Sequence, residues 1–141
     1  MIMKIDYAKF KMPVLAGLAV IFVGAFVAEW FYLYDIRYFD KLLHLSGGII
    51  SAWFFSVFFR KELGISSKFR AIIIILSATG FVGILWEFAE YISGAYVSQI
   101  APIVAHYMFI GDLVDTLGDI LTDLTGGLGF SLSLIFRLKF R

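Results

Sequence analysis

The sequence predicts an all-α fold, an antiparallel bundle of four transmembrane helices that forms a single domain of residues 1–141. Its residues are 61% apolar, whereas a soluble domain averages about 45–50%. Four apolar stretches are long enough to cross a bilayer, and the connections between them are too short to hold a soluble domain. Ten of the twelve basic residues fall on one side of the membrane if the chain crosses four times. Composition, length and charge therefore agree on four crossings.

The predicted spans, in order, are Pro13–Tyr34, Lys41–Phe59, Phe69–Ile92 and Leu113–Leu138. The first follows a basic N-terminus, as the apolar core of a signal peptide does. Its length and the lack of a small-residue cleavage site favour a retained anchor. The other spans contain small residues that let neighbouring helices approach closely, namely Gly47, Gly48, Ser51, Gly80, Gly83, Gly126, Gly127 and Gly129. The last three glycines also allow an irregularity in the helix.

The distribution of charge predicts the orientation in the membrane. The basic residues that share a side are Lys4, Lys9, Lys11, Arg60, Lys61, Lys68, Arg70, Arg137, Lys139 and Arg141, and only Arg37 and Lys41 fall opposite. The positive-inside rule therefore predicts a multi-pass protein of the cell membrane with both termini cytoplasmic. Nine of the eleven acidic residues fall on the other side. Because acidic residues contribute little to topology, this concentration indicates a function that uses carboxylates.

A row of aspartates in the fourth span is the strongest functional signal. Asp112, Asp115, Asp119 and Asp123 are spaced by three, four and four residues. This spacing places them within an arc of about 80° on one helix face. A charged carboxylate near the bilayer centre costs at least about 2.5 kcal/mol. The row therefore requires a neutralising partner, and we expect it to lie inside the bundle against the third span.

Antiparallel packing would bring further polar residues to the same end of the bundle. These are Glu29 from the first span, Asp40 and His44 from the second, and Glu87 and Glu90 from the third. Carboxylates at this density cannot all ionise unless cations neutralise them. One solution is a divalent metal ion such as Mg²⁺, Mn²⁺, Fe²⁺ or Zn²⁺, held by carboxylate oxygens and one imidazole. The other is a path along which protons or cations pass between carboxylates.

The side chains of the acidic end supply the candidate ligands for such an ion. They are His44, Glu87, Glu90, Asp115, Asp119 and Asp123. In a catalytic site His44, Glu87 and Asp119 would also act on the substrate, with His44 as a ligand or general base. We expect His106, in the connection before the fourth span, to be incidental. The absence of cysteine excludes thiolate catalysis, disulfides and Cys-ligated metals.

Simpler roles are open for several polar residues. Asp40 and Asp112 each stand where a helix begins, so either can serve as a helix cap instead of joining the site. Glu29 lies beside aromatic residues and can reach lipid headgroups. His44 can hydrogen-bond a neighbouring helix, and Lys41 is placed to pair with the acids.

Three motifs follow one another along the chain. They are Asp40-Lys41-x-x-His44 at the start of one span, Trp86-Glu87-x-x-Glu90 at the end of the next, and Gly111-Asp112-x-x-Asp115-Thr116-x-x-Asp119-x-x-x-Asp123-x-x-Gly126 in the last. This order resembles the small VanZ-like and YjdF-type integral membrane proteins, and the resemblance covers roughly residues 40–130. It implies a bacterial or archaeal membrane protein from a group of mostly unknown function, with a link to glycopeptide-antibiotic tolerance. It implies no particular reaction.

These observations predict one function and leave two alternatives. We expect a metal site that opens outward and binds or acts on a lipid headgroup or another anionic envelope molecule. If it is catalytic, the protein is a metal-dependent hydrolase or transferase of lipid-linked phosphate. The alternatives are a proton- or cation-coupled carrier, in which Asp119 and Asp123 pass the ion, and a non-catalytic membrane subunit. Membrane lipids are the expected partners, with no nucleic acid, and a carrier of this size would form a homo-oligomer or join a larger complex.

Overall fold

The computed structural model contains helices and no strand in residues 7–33, 36, 38–100 and 112–137, the part of the chain that it describes. A 3₁₀ turn at Tyr7–Lys9 precedes helix α1 (Lys11–Phe22), which continues through a π-helical turn (Val23–Val27) into α2 (Ala28–Trp30). Helix α3 (Phe39–Phe58) is followed by the short α4 (Arg60–Ile65). Helix α5 (Lys68–Ile92) continues through a second π-helical turn (Ser93–Val97) into α6 (Ser98–Ile100), and α7 (Leu113–Arg137) follows. The side chain of Glu29, and all of Asp35, Arg37 and His106, lie outside the described part.

Three of these helices are long and apolar enough to cross a membrane. They are Phe39–Phe58, Lys68–Val97 and Leu113–Phe136, with 20, 30 and 24 residues. Helix α1 is a shorter apolar helix, and with it the structure confirms the predicted all-α membrane bundle of four helices. Large apolar side chains such as Leu18, Phe81, Leu121 and Phe136 are exposed on the outer surface, where acyl chains can cover them.

Helix α5, which corresponds to the third predicted span, is longer than the sequence indicated. The sequence predicts a span that ends at Ile92 and a connection after it, whereas the helix runs on through Val97 to Ile100. The pair Ser93-Gly94 does not stop it, since a helix already stabilised by packing tolerates one unfavourable residue.

Helices α3 and α7 begin differently, which separates the two capping hypotheses. Asp112 caps α7, because its Oδ1 accepts a 2.9 Å hydrogen bond from the backbone N–H of Asp115. The residue before α3 is Tyr38, with a left-handed φ of 70° and no side-chain capping bond. Asp40 is therefore inside the first turn of α3 and is not its N-cap. The capping prediction is confirmed for Asp112 and wrong for Asp40.

Glycines allow α7 to pack against α3 and α5 at backbone contact, as the small-residue pattern predicted. A methyl group added at Gly48 of α3 would collide with the backbone carbonyl oxygen of Asp123. One added at Gly126 of α7 would collide with the carbonyl oxygen of Leu45. Gly129 differs, since nothing lies within 4 Å of a methyl group placed there, so its predicted packing role is wrong. Because their backbones touch, α3 and α7 hold their polar ends in a fixed relation.

A small apolar core lies at the opposite end, where the basic residues concentrate. Leu63 of α4 is buried beneath the turn between α3 and α5, against Ala52, Ala71 and Ile75. Helix α1 packs on α3, whereas α3, α5 and α7 pack extensively on one another. The bundle is therefore a three-helix unit with α1 on one side.

Candidate functional site

The polar ends of α3, α5 and α7 meet at one end of the bundle, as antiparallel packing predicted. We call the side chains that gather there the polar cluster: Asp40, Lys41, His44, Glu87, Glu90, Asp115, Asp119 and Asp123. Asp119 and Asp123 are 3% and 5% exposed, so the deeper half of the aspartate row faces inward. This confirms the predicted burial for these two residues, whereas Asp115 is half-buried and Asp112 is exposed.

Lys41 is the cation that neutralises the upper part of the row. Its Nζ lies 2.6 Å from Asp115 Oδ1 and 2.6 Å from Asp119 Oδ1, so one ammonium donates to two carboxylates one turn apart. A longer contact of 3.8 Å reaches Asp40 Oδ2. The side chains of Lys41 and Asp115 are 29% and 31% exposed, whereas that of Asp119 is only 4% exposed. The pairing anticipated for Lys41 is therefore confirmed, and it neutralises a carboxylate that solvent barely reaches.

His44 is at the centre of the polar cluster, and its two ring nitrogens face different carboxylates. Its Nε2 lies 3.6 Å from Asp119 Oδ1, 3.9 Å from Glu87 Oε1 and 4.0 Å from Asp40 Oδ1. These distances exceed those of direct hydrogen bonds. Three carboxylates from three helices therefore surround one imidazole nitrogen without bonding to it.

The other nitrogen, Nδ1, lies 3.4 Å from Asp123 Oδ2. That carboxylate sits in a narrow slot between α3 and α5, because both neighbouring positions lack a side chain. A methyl group at Gly83 would come within 2.6 Å of Asp123 Oδ2, and one at Gly47 within 3.6 Å of Asp123 Oδ1. The slot thus holds the carboxylate against the inner side of His44 and fixes the orientation of the ring.

Glu87 supplies a buried oxygen whose bonding is incomplete. Its Oε1 has no hydrogen-bond partner among the described residues, although the His44 imidazole is 3.9 Å away. Glu90, one turn further along α5, also brings a carboxylate oxygen within 4.8 Å of the ligand atoms of Glu87 and His44. A buried carboxylate oxygen without a partner is unfavourable, so this arrangement favours a bound cation or proton.

Two overlapping groups in the polar cluster have the composition of a metal site. One consists of Asp40, His44 and Asp119, the other of His44, Glu87 and Glu90, and in each the ligand atoms lie within 4.8 Å of one another. In a tetrahedral site with bonds of about 2.0–2.2 Å, neighbouring ligand atoms are about 3.3–3.6 Å apart. The contacts of His44 Nε2 are within about half an ångström of this range. The donor set of one imidazole with carboxylates also suits a borderline divalent ion.

A cavity of about 240 Å³ adjoins the polar cluster on the side of α1. His44, Glu90, Asp40 and Asp123 line it near the polar end, and Thr79 lines it at greater depth. The Thr79 side chain is almost fully buried, and its hydroxyl has no partner among the described residues. The remaining lining is mostly apolar.

The structure brings together all six residues predicted as metal ligands, although it divides them by position. Glu87 and Asp119 lie near His44 Nε2, and Glu90 lies within 4.8 Å of ligand atoms of His44 and Glu87. Asp115 is paired with Lys41, and Asp123 faces the opposite nitrogen of His44. Asp40 joins the first group, although it was not among the predicted ligands. Thr79 was also missed, because a single threonine in an apolar helix carries no signal of its own.

Comparison with known proteins identifies a family. The sequence model of a family described as "Predicted membrane protein (DUF2238)" matches residues 4–140. No curated protein and no solved structure matches the chain. The match agrees with the expected small membrane protein of unknown function. Its description carries neither the VanZ-like nor the YjdF-type label, so that finer naming stays a prediction.

Proposed function

The chain belongs to this family of predicted membrane proteins, and from the polar cluster we propose that it binds a divalent metal ion at His44. One observation carries the proposal. His44 Nε2 faces carboxylate oxygens of Asp40, Glu87 and Asp119 at 3.6 to 4.0 Å, from all three helices of the central unit, and bonds directly to none. A metal ion bonded to these atoms would satisfy the imidazole and the unpartnered Glu87 oxygen together.

In this proposal the polar residues have separate roles. His44, Glu87 and Asp119 are the central ligands, and Asp40 and Glu90 complete the set from either side. Asp123 and Asp115 were both predicted as ligands, and we now assign them to positioning. Asp123 orients the His44 ring from the far nitrogen, as outer hydrogen-bonding partners do in metal sites. Asp115 shares Lys41 with Asp119.

The negative charge of the polar cluster indicates which kind of molecule a bound metal ion would help to bind. Six carboxylates accompany one ammonium and one imidazole, so an anionic molecule would be repelled from the cluster by itself. A divalent ion held by His44, Glu87 and Asp119 would offset part of this negative charge and would supply a positive centre that can bind a phosphate oxygen. We therefore propose that the site binds or acts on a lipid headgroup or another anionic envelope molecule. When bound, such an ion would polarise a phosphoryl oxygen and lower the pKa of a bound water molecule.

The hydroxyl groups below the cluster favour a one-sided site over a carrier. On α7 beyond Asp123, the hydroxyls of Thr125, Ser131 and Ser133 each donate to a carbonyl oxygen of their own helix. They are therefore already satisfied and do not mark a polar route through α7. Thr79 is the exception among the described hydroxyls of the interior. We propose that the cluster opens to the non-cytoplasmic side, as the basic residues at the other end predict.

Metal analysis of the purified protein tests the proposal. We expect about one divalent ion per chain and a fall in thermal stability on adding a strong chelator, since an ion at a hundred times its Kd stabilises by about 2.7 kcal/mol. The variant Glu87→Gln should bind the ion at least about tenfold more weakly, because it removes a charged ligand. Glu62→Gln is the matched control, since Glu62 is exposed on α4 at the opposite end.

The alternative in which carboxylates share protons predicts the opposite sign. Glu87→Gln would then relieve repulsion and leave stability unchanged or raised. A wild-type protein that melts identically with and without chelator, together with a stabilised Glu87→Gln variant, would end the metal proposal.

A further inference from the structure

The cavity beside the polar cluster has the shape and lining of a site for a hydrocarbon chain. Val20 of α1, Ile50 of α3 and Val82 of α5 form apolar walls around it. Gly17 also lines the cavity, and because it has no side chain, it leaves space beside Ile50. A cavity of about 240 Å³ between apolar walls is suited to methylene groups.

The length of the cavity matches one leaflet of a bilayer. Along α5 it extends from Glu90 at the polar end to Thr79, a distance of about 16 Å at 1.5 Å per residue. The hydrocarbon core of a bilayer is about 30 Å thick, so half of it is about 15 Å. A chain that starts at Glu90 would reach Thr79 near the middle of the membrane.

The cavity also has a side from which a chain can enter. It is bounded by α1, α3 and α5. Helix α1 packs on α3, whereas its contact with α5 is slight. Among the described residues, the boundary between α1 and α5 therefore has no close helix packing, and in a bilayer acyl chains would lie against it. The Thr79 hydroxyl at the deep end can turn to a carbonyl oxygen of its own helix when hydrocarbon lies against it.

We infer that this cavity binds one hydrocarbon chain of a membrane lipid, with the lipid headgroup at the polar cluster beside His44. The inference rests on the proposed function and deepens it, because the molecule presented to the metal site would be a lipid held by its hydrocarbon chain. The lipid headgroup would then lie at the polar end of the cavity, near Asp40 and Glu90, and the hydrocarbon chain would lie in its apolar interior.

Photolabelling in vesicles tests this inference. The protein is reconstituted in phosphatidylethanolamine and phosphatidylglycerol, with a small fraction of phosphatidylglycerol carrying a diazirine near the middle of one acyl chain. Labelled peptides are quantified by mass spectrometry. We expect labelling of Ile50 and Val82 inside the cavity, relative to Ile84, which is exposed on the outer face of α5.

A cavity-filling substitution should abolish the inner labelling selectively. Val20→Phe should lower the ratio of Ile50 to Ile84 labelling about tenfold, the effect of excluding roughly two methylene groups from an apolar site. Val14→Phe is the matched control, because Val14 is exposed on the outer face of the same helix. Gly17→Leu serves as a second filling variant, since a methyl group there meets Ile50 at an ordinary 3.7 Å.

The outcomes separate this inference from the metal proposal, because metal content is measured on the same samples. Inner labelling that survives His44→Ala while bound metal is lost supports the chain site independently of the ion. Bound metal in a wild-type protein whose Ile50 and Val82 remain unlabelled overturns the chain inference and leaves the metal proposal standing. Equal Ile50 labelling in Val20→Phe and Val14→Phe also overturns the inference of a hydrocarbon-binding cavity, since the label then reports bulk lipid or another copy of the protein.

Discussion

Replacing Lys41 by methionine tests how the aspartate row is tolerated inside the bundle. The substitution keeps the length of the side chain and removes the ammonium that lies 2.6 Å from both Asp115 Oδ1 and Asp119 Oδ1. The Asp119 side chain is only 4% exposed, and removing one partner of a buried pair costs about 3–5 kcal/mol. Asp115 is 31% exposed, so losing its ion pair with Lys41 contributes at most about 1 kcal/mol to the loss in the free energy of unfolding. Because the Lys41 side chain is 29% exposed, water can partly hydrate the carboxylates that it leaves unpaired. We therefore expect Lys41→Met to lower the free energy of unfolding by about 2–3 kcal/mol.

The assay is reversible unfolding in mixed micelles with a chelator present, so that no metal ion can replace the ammonium. Asp119→Asn and the double variant complete a thermodynamic cycle. We expect the double variant to be more stable than Lys41→Met alone, since it no longer contains an unpaired buried charge. Asp115→Asn, at the exposed partner, should cost less than about 1 kcal/mol. An unchanged free energy of unfolding in Lys41→Met, or strictly additive effects in the double variant, would refute this account of the ion pair.

Three further predictions follow from the helix contacts, the cavity and the topology. Gly48→Ala should destabilise by about 3 kcal/mol in the same unfolding assay, because its methyl group meets the α7 backbone, whereas Gly129→Ala, where nothing is within 4 Å, should be neutral or stabilise by up to about 1 kcal/mol. Thr79→Val should stabilise by about 1 kcal/mol, since it removes a buried hydroxyl without a partner; a loss of stability would instead show that the hydroxyl binds a ligand or water. Cysteine at Ile65 should be protected from an impermeant thiol reagent in intact cells, while cysteine at Ile100 should react, both side chains being 89% exposed in a chain without cysteine; the reverse pattern would invert the topology.

The parts of the site that depend on a single helix were predictable from the sequence. The spacing of the aspartates gave one helical face, and the cost of charge in a membrane required that face to be buried, as it is for Asp119 and Asp123. The N-terminal position of Asp112 predicted its cap in the same way. Small residues such as Gly48 marked the close contact between helices before their partners were known.

The parts that depend on the rotation and register of two helices were not predictable. Lys41 could be placed near the acids, but its contact with two particular carboxylates requires the relative height of α3 and α7. The same relation brings Asp119 of α7 to within 3.6 Å of His44 Nε2. The buried Thr79 and the cavity depend on how three helices pack, and periodicity within one helix carries no information on that.

The slot around Asp123 has a mechanical consequence for the bundle. Its carboxylate is inserted between Gly47 and Gly83, and its backbone carbonyl oxygen presses on Gly48. Helix α7 cannot slide or turn in this groove without first withdrawing a charged group from between two neighbours, so the three central helices move as one body. Among the described residues, helix α1 packs mainly on α3 and lies outside this slot. Admission and release of a ligand are therefore expected to proceed by displacement of α1, with the ligands around His44 staying in place as a rigid frame.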